Sequence, residues 1–206
     1  MLDFASFMYR VPALLIALTF HEFAHACVSD SLGDPTPEMQ GRLTLNPLAH
    51  MDIVGTLMLV LVGFGWAKPV EVDPRYYQNA RSGMLKVSLA GPAANLLLCF
   101  LAVAVMALRA HLGMSSVWVN QFLYWTMLYN VWFAFFNLLP IPPLDGSKIL
   151  ASFMDYETAY KFENLVGRYG FFILIAIVYS GISGMIISPL ASWYIHICSS
   201  IVGIIL

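Results

Sequence analysis

The pentapeptide His21-Glu22-Phe23-Ala24-His25 lies inside an otherwise apolar run covering residues 7–28, and few folds can accommodate that combination. In a helix, residues four apart lie one above the other, so His21 and His25 face the same way and can share one metal ion, with Glu22 beside them. Two imidazoles suit zinc, a borderline-soft ion that takes nitrogen at about 2.0–2.1 Å. Glu22, left unligated, is then placed to take a proton from an attacking water. Two blander readings compete: histidines capping a membrane helix at the interface, or a structural metal site without catalysis. Ionisable side chains within a membrane segment are costly, and by default they mark function.

The rest of the chain is of the same kind. Hydrophobic residues make up 60% of the 206 and charged residues 11%, with a mean hydropathy of +0.76, which implies an all-α polytopic membrane protein in a lipid bilayer. A net charge of −2 without any basic block gives no reason to expect nucleic acid as a partner. Cys27, Cys99 and Cys198 stand in apolar runs without C-x-x-C spacing and read as small core residues. Asp3 and no positive region precede the first apolar run, and that run contains the histidine motif. We expect it to stay in the mature protein rather than be cleaved as a signal peptide.

Segment one, residues 7–29, is long enough to span and ends in the turn formers of residues 29–35. Residues 53–66 are apolar, but at 1.5 Å per residue they reach only about 21 Å, short of a bilayer core of about 30 Å. With Gly63-Phe64-Gly65 as the turn, residues 57–62 and 66–72 are better read as a short membrane-inserted β-hairpin. Segment two, residues 84–108, contains Gly91-Pro92-Ala93-Ala94-Asn95; Asn95 is a candidate substrate-binding group or, equally, a polar packing residue between helices. Segment three, residues 117–139, runs into Pro140-Ile141-Pro142-Pro143-Leu144-Asp145-Gly146, where the prolines end the helix. Segment four (169–187) and a last apolar run (190–206) follow. The expectation is one membrane-embedded domain, 1–206, of five to six transmembrane helices. Its catalytic core covers about residues 8–150, with C-terminal helices at about 168–206.

A catalytic zinc usually takes three protein ligands and leaves a fourth position open. Of the carboxylates outside segment one, Asp145 alone follows an apolar helix and a proline break, which makes it the third-ligand candidate, with His50 and Asp52 next in line. For Asp145 to reach the histidines, segments one and three must run parallel, which favours the hairpin over a full crossing. Lys and Arg residues concentrate on the side that holds this site, so the site should lie nearer the cytoplasm.

His-Glu-Phe-Ala-His in one helix, Gly-Pro-Ala-Ala-Asn in the next and Asn137-Leu138-Leu139-Pro140-Ile141-Pro142-Pro143-Leu144-Asp145-Gly146 closing a third together resemble the site-2 protease family, the intramembrane zinc metalloproteases of peptidase family M50. Residues 41–47 and 65–70 look like its compact bacterial and archaeal branch, without PDZ or CBS domains, which implies a prokaryotic cell membrane. The resemblance implies one zinc held by His21, His25 and Asp145, Glu22 as general base and acid, and Asn137 as a polar group that helps hold the substrate carbonyl. The implied activity is hydrolysis of peptide bonds in membrane-spanning protein substrates, in or near the bilayer. The rival classes are a catalytically inactive scaffold and a metal-binding transporter; an intact Glu22 argues against the first, and the sparsely polar remaining helices argue against the second.

Overall fold

The computed structural model describes residues 4–52, 55 and 67–205. Helix α1 (Phe4–Ser31) is followed by a single turn, α2 (Thr36–Met39), and two short 3-10 turns at Pro47–His50 and Pro74–Tyr76. Four long or medium helices complete the bundle with one short one: α3 (Ala80–His111), α4 (Val117–Asn137), α5 (Asp145–Ala151), α6 (Tyr156–Tyr179) and α7 (Ile182–Ile205). Side-chain caps fix several starts. Asn79 accepts the Ser82 N–H ahead of α3, and Asp155 accepts the Thr158 N–H ahead of α6, each satisfying an amide that the helix leaves unpaired.

The fold is all-α. Among the described residues there is no strand, only an isolated antiparallel bridge between Met51 and Ala67. The expected hairpin over 57–72 falls mostly on residues outside those described. Its described part, residues 67–72, begins at that bridge, with the Lys68 N–H donating to the His50 carbonyl at 3.0 Å.

Among the described residues, three helices, over Ser6–Ser31, Ala80–His111 and Ile182–Ile205, are long and apolar enough to cross a bilayer; the arms of α6, bent by 54°, make a fourth if taken as one span. This is fewer than the five to six expected from sequence. The difference lies partly in α4, which has 21 residues and no charge but carries Asn120, Gln121, Thr126, Asn130 and Asn137. Because α4 packs on α1, α3 and α7, the buried Thr126, Asn130 and Asn137 meet protein rather than lipid, while Asn120 and Gln121 are exposed at its start. Such a helix can be less apolar than one bathed in hydrocarbon.

Contacts give the directions. Asn95 of α3 donates to the Ala17 carbonyl while His25 donates to the carbonyl of Val87, so α1 and α3 are antiparallel. The Arg10 guanidinium lies 3.8 Å over the Trp125 ring and the His21 ring meets Phe133 at 4.8 Å, so α1 and α4 run the same way. Small residues line the contacts: Ala13, Ala17 and Ala26 of α1 are fully buried. Cys99, Ala102 and Val103 of α3 pack with Met127 and Val131 of α4 and with Ala191, Cys198 and Val202 of α7. On the opposite face of α3, Leu97, Leu101, Val105 and Leu108 are exposed, a stripe suited to lipid tails. The chain is an integral membrane protein.

Candidate metal centre

The last third of α1 carries His21, Glu22 and His25, all buried. After α4 the chain turns through the prolines and starts α5 at Asp145, which is also buried. Gly146 permits this return, since a β-carbon there would lie 2.2 Å from the Leu138 carbonyl oxygen. The turn brings Asp145 Oδ2 to 3.1 Å from His21 Nε2 and 3.2 Å from His25 Nε2, with the two Nε2 atoms 3.0 Å apart. One ligand atom from each residue falls within 4.8 Å of the others. His50 and Asp52 are not part of this cluster, and the His50 Nε2 instead meets the Thr44 carbonyl at 2.8 Å.

The donor set fits a cation. His21 Nδ1 faces Asn95 Oδ1 at 2.7 Å, and His25 Nδ1 faces the Val87 carbonyl at 2.7 Å. Both partners accept only. The Asn95 orientation is fixed because its Nδ2 donates to the Ala17 carbonyl and to Asn130 Oδ1, and Asn130 in turn donates to Thr126. Each neutral imidazole therefore carries its proton on Nδ1 and presents a bare Nε2 lone pair to the other and to the Asp145 carboxylate. With both imidazoles neutral, three lone-pair donors face one point and repel, and a divalent ion resolves that repulsion. Two nitrogens and a carboxylate oxygen match a zinc site with three protein ligands.

Glu22 opens onto the same cavity, of about 100 Å³, lined also by Val70, Ser88, Asn137 and Lys148. Its Oε2 accepts the Val70 N–H at 2.9 Å. Asn137 lines the cavity while its Nδ2 donates to the Phe133 carbonyl. Asn95 does not reach the cavity; it is fully buried behind His21 with its amide saturated. As a substrate contact it is therefore displaced by the imidazole it orients.

Residues 68–73 pass over the site as a strap pinned at several points. Arg42, itself buried, donates to the carbonyls of Ala49, Lys68 and Pro69. Burial pulls its pKa down against the opposing pull of Glu22 and Glu71. Asp34 accepts from Ser29, from the Thr36 amide and from the Asp73 amide. Burial alone would raise the Asp34 pKa, but these hydrogen bonds outweigh it and hold the carboxyl below its usual range. Tyr77 donates to Ser29, and its ring packs so closely on α3 that a β-carbon at Gly83 would strike it.

Sequence reasoning missed Arg42, the Val70 amide and Ser88. A lone arginine in a polar loop gives no sign that it will be buried. Asn130 was findable, since an asparagine in an apolar span usually bonds to a neighbouring helix.

The sequence model of peptidase family M50 matches residues 108–177, from the end of α3 through α4 and Asp145 into α6. YwhC of Bacillus subtilis, named as a zinc metalloprotease, is 35% identical over 187 residues, which cover 88% of this chain and 85% of YwhC. The chain belongs to peptidase family M50. This M50 chain is also 33% identical over 181 residues to Rip2 of Mycolicibacterium smegmatis, covering 84% of itself and 67% of Rip2. It is 29% identical over 146 residues to MJ0611 of Methanocaldococcus jannaschii, 70% of each chain. Both are likewise named as zinc metalloproteases. No solved structure matches the M50 chain.

Proposed function

We propose that the chain is a zinc metalloprotease of the site-2 type, holding one zinc and hydrolysing peptide bonds of membrane-spanning proteins in or near the bilayer. The observation that carries this reading is the convergence of His21 Nε2, His25 Nε2 and Asp145 Oδ2, with the Glu22 carboxylate in the same cavity. Family membership and the names of the relatives support zinc and proteolysis.

His21, His25 and Asp145 would hold the ion. Zinc, when bound, polarises a peptide carbonyl and makes a water acidic enough to lose its proton near neutral pH. Glu22 takes that proton and passes it to the leaving amine, which must be protonated to depart. Asn137 has one amide hydrogen in its own helix and offers the second to the carbonyl oxygen of the substrate as charge builds there, a contact worth roughly 2.7–4 kcal/mol where such donors have been removed. Asn95 acts by holding the His21 tautomer rather than by touching substrate.

A substrate helix must unwind before attack, because its carbonyls and amides are paired internally. Hairpin strands over residues 57–72 would receive the unwound segment by strand addition. The Met51–Ala67 bridge supports a return of the chain at that point. In this reading the protein is one domain, residues 1–206, with α1, α3, α4, α6 and α7 as its spans and its site towards the cytoplasm.

The test is elemental analysis of zinc together with cleavage of a membrane-helix substrate by wild type, Glu22→Gln and Asp145→Ala. One zinc per chain in wild type and Glu22→Gln, with cleavage lost in Glu22→Gln and both lost in Asp145→Ala, is expected. Cleavage by Glu22→Gln at the wild-type rate refutes the mechanism. A scaffold or a transporter would bind zinc with no cleavage in any variant.

A further inference from the structure

Ser88 stands on α3 next to Val87, whose carbonyl holds His25, and three residues before Gly91, against which both imidazoles pack. It lines the cavity with Glu22, Asn137 and Asp145. Only 1% of the residue is exposed, yet its Oγ has no hydrogen-bond partner. A hydroxyl on a membrane helix ordinarily turns back to the carbonyl one turn earlier. Thr126 does so with Phe122 at 2.8 Å and Ser200 with His196 at 2.9 Å. Ser88 does not. Its own carbonyl is also released from the helix ladder, because Pro92, four residues on, has no N–H to give it.

A buried hydroxyl left unpaired beside a reactive cavity is costly unless something that enters the cavity pairs with it. We propose that Ser88 is a substrate-contacting residue whose Oγ–H donates to a backbone carbonyl of the peptide segment seated in the cavity. The proposal rests on the zinc-protease reading above. In a cavity of about 100 Å³ that holds Glu22, Asn137 and the three proposed metal ligands, the group seated for attack is a peptide bond. The chemistry recognised is thus the backbone itself. A carbonyl of an unwound chain offers both lone pairs and an open approach, so the hydroxyl pairs best with a substrate segment that has left helical form.

The test compares two zinc-binding probes on the purified, zinc-loaded full chain in detergent: acetohydroxamate, which has no peptide group, and a leucyl-alanine hydroxamate, which has one. In Ser88→Ala we expect the dissociation constant of the dipeptide probe to rise about tenfold. That of acetohydroxamate, the zinc content and the thermal midpoint should stay at wild-type values. Ser88→Cys, which keeps a weaker donor, should fall between. Unchanged binding of both probes by Ser88→Ala overturns the proposal, and so does an equal loss for both, which would mean a disturbed metal site. A drop in cleavage rate with dipeptide binding unchanged overturns it too, since the hydroxyl would then serve the attacking water. Failure of wild type to hold zinc or bind either probe is a different result, and it removes the zinc-protease reading along with this one.

Discussion

A β-carbon on Gly91 would lie 2.5 Å from Nε2 of His25, and 2.6 Å from Cε1 of His21. Helix α3 therefore presents bare backbone to the two imidazoles, and the space they share exists because nothing projects from that position. Gly91→Ala should tilt one or both rings and weaken zinc binding by at least tenfold, while helix content holds. Dialysis against a competing chelator reads this directly; wild-type zinc retention would show that the rings have room to move.

Asn95 is the partner that fixes the His21 tautomer, and its amide is itself fixed by Ala17 and Asn130. Asn95→Leu should lower zinc affinity by about 10–100-fold, the range seen when groups behind metal ligands are removed. Asn130→Leu, one bond further out, should cost less. Equal zinc affinity in Asn95→Leu and wild type would mean His21 is held by packing alone.

Arg42 reaches three carbonyls from one guanidinium, two of them in the strap over the site. Arg42→Lys keeps the charge but loses the fork. Hydrogen bonds from a charged group are worth about 1.5–3 kcal/mol, so amide exchange across residues 68–73 should quicken by roughly 30-fold in the variant. Exchange confined to wild-type rates would leave the clasp without mechanical importance.

Asp34 ties α1 to the strap through Ser29 and the Asp73 amide, and its pKa lies below the ordinary carboxylate value. A depressed native pKa means that ionised Asp34 adds stability above its unfolded value, about 3.9, and that this is lost as pH falls through the native value. Asp34→Asn should therefore lower the thermal midpoint by a constant amount above about pH 5, and the gap to wild type should close below about pH 4. A gap that persists at low pH would assign the loss to packing instead.

Much of the centre was readable because its parts are written locally. The four-residue spacing of His21 and His25 is a property of any helix, and Asp145 stood out as the one carboxylate after an apolar helix and a proline break. What the sequence hid is what depends on three helices meeting. Asn95 could be placed on a helix but not behind His21, because which face of α3 turns towards α1 is set by Gly91 and Ala17 together. Arg42 looked solvated, and its burial follows from the strap folding back over it. Hydropathy and burial part company in α4, where Asn130 and Asn137 are buried against protein, so composition alone does not mark that helix as a span.

His21 and Asp145 are separated by 124 positions along the chain yet meet at 3.1 Å. During synthesis, a chain that has reached the end of α3 carries two of the proposed ligands and the proposed base but lacks the third ligand candidate. The proposed centre is complete only once α4 and the first turn of α5 have been made. On the proposed reading, assembly of the bundle is itself the event that completes the site.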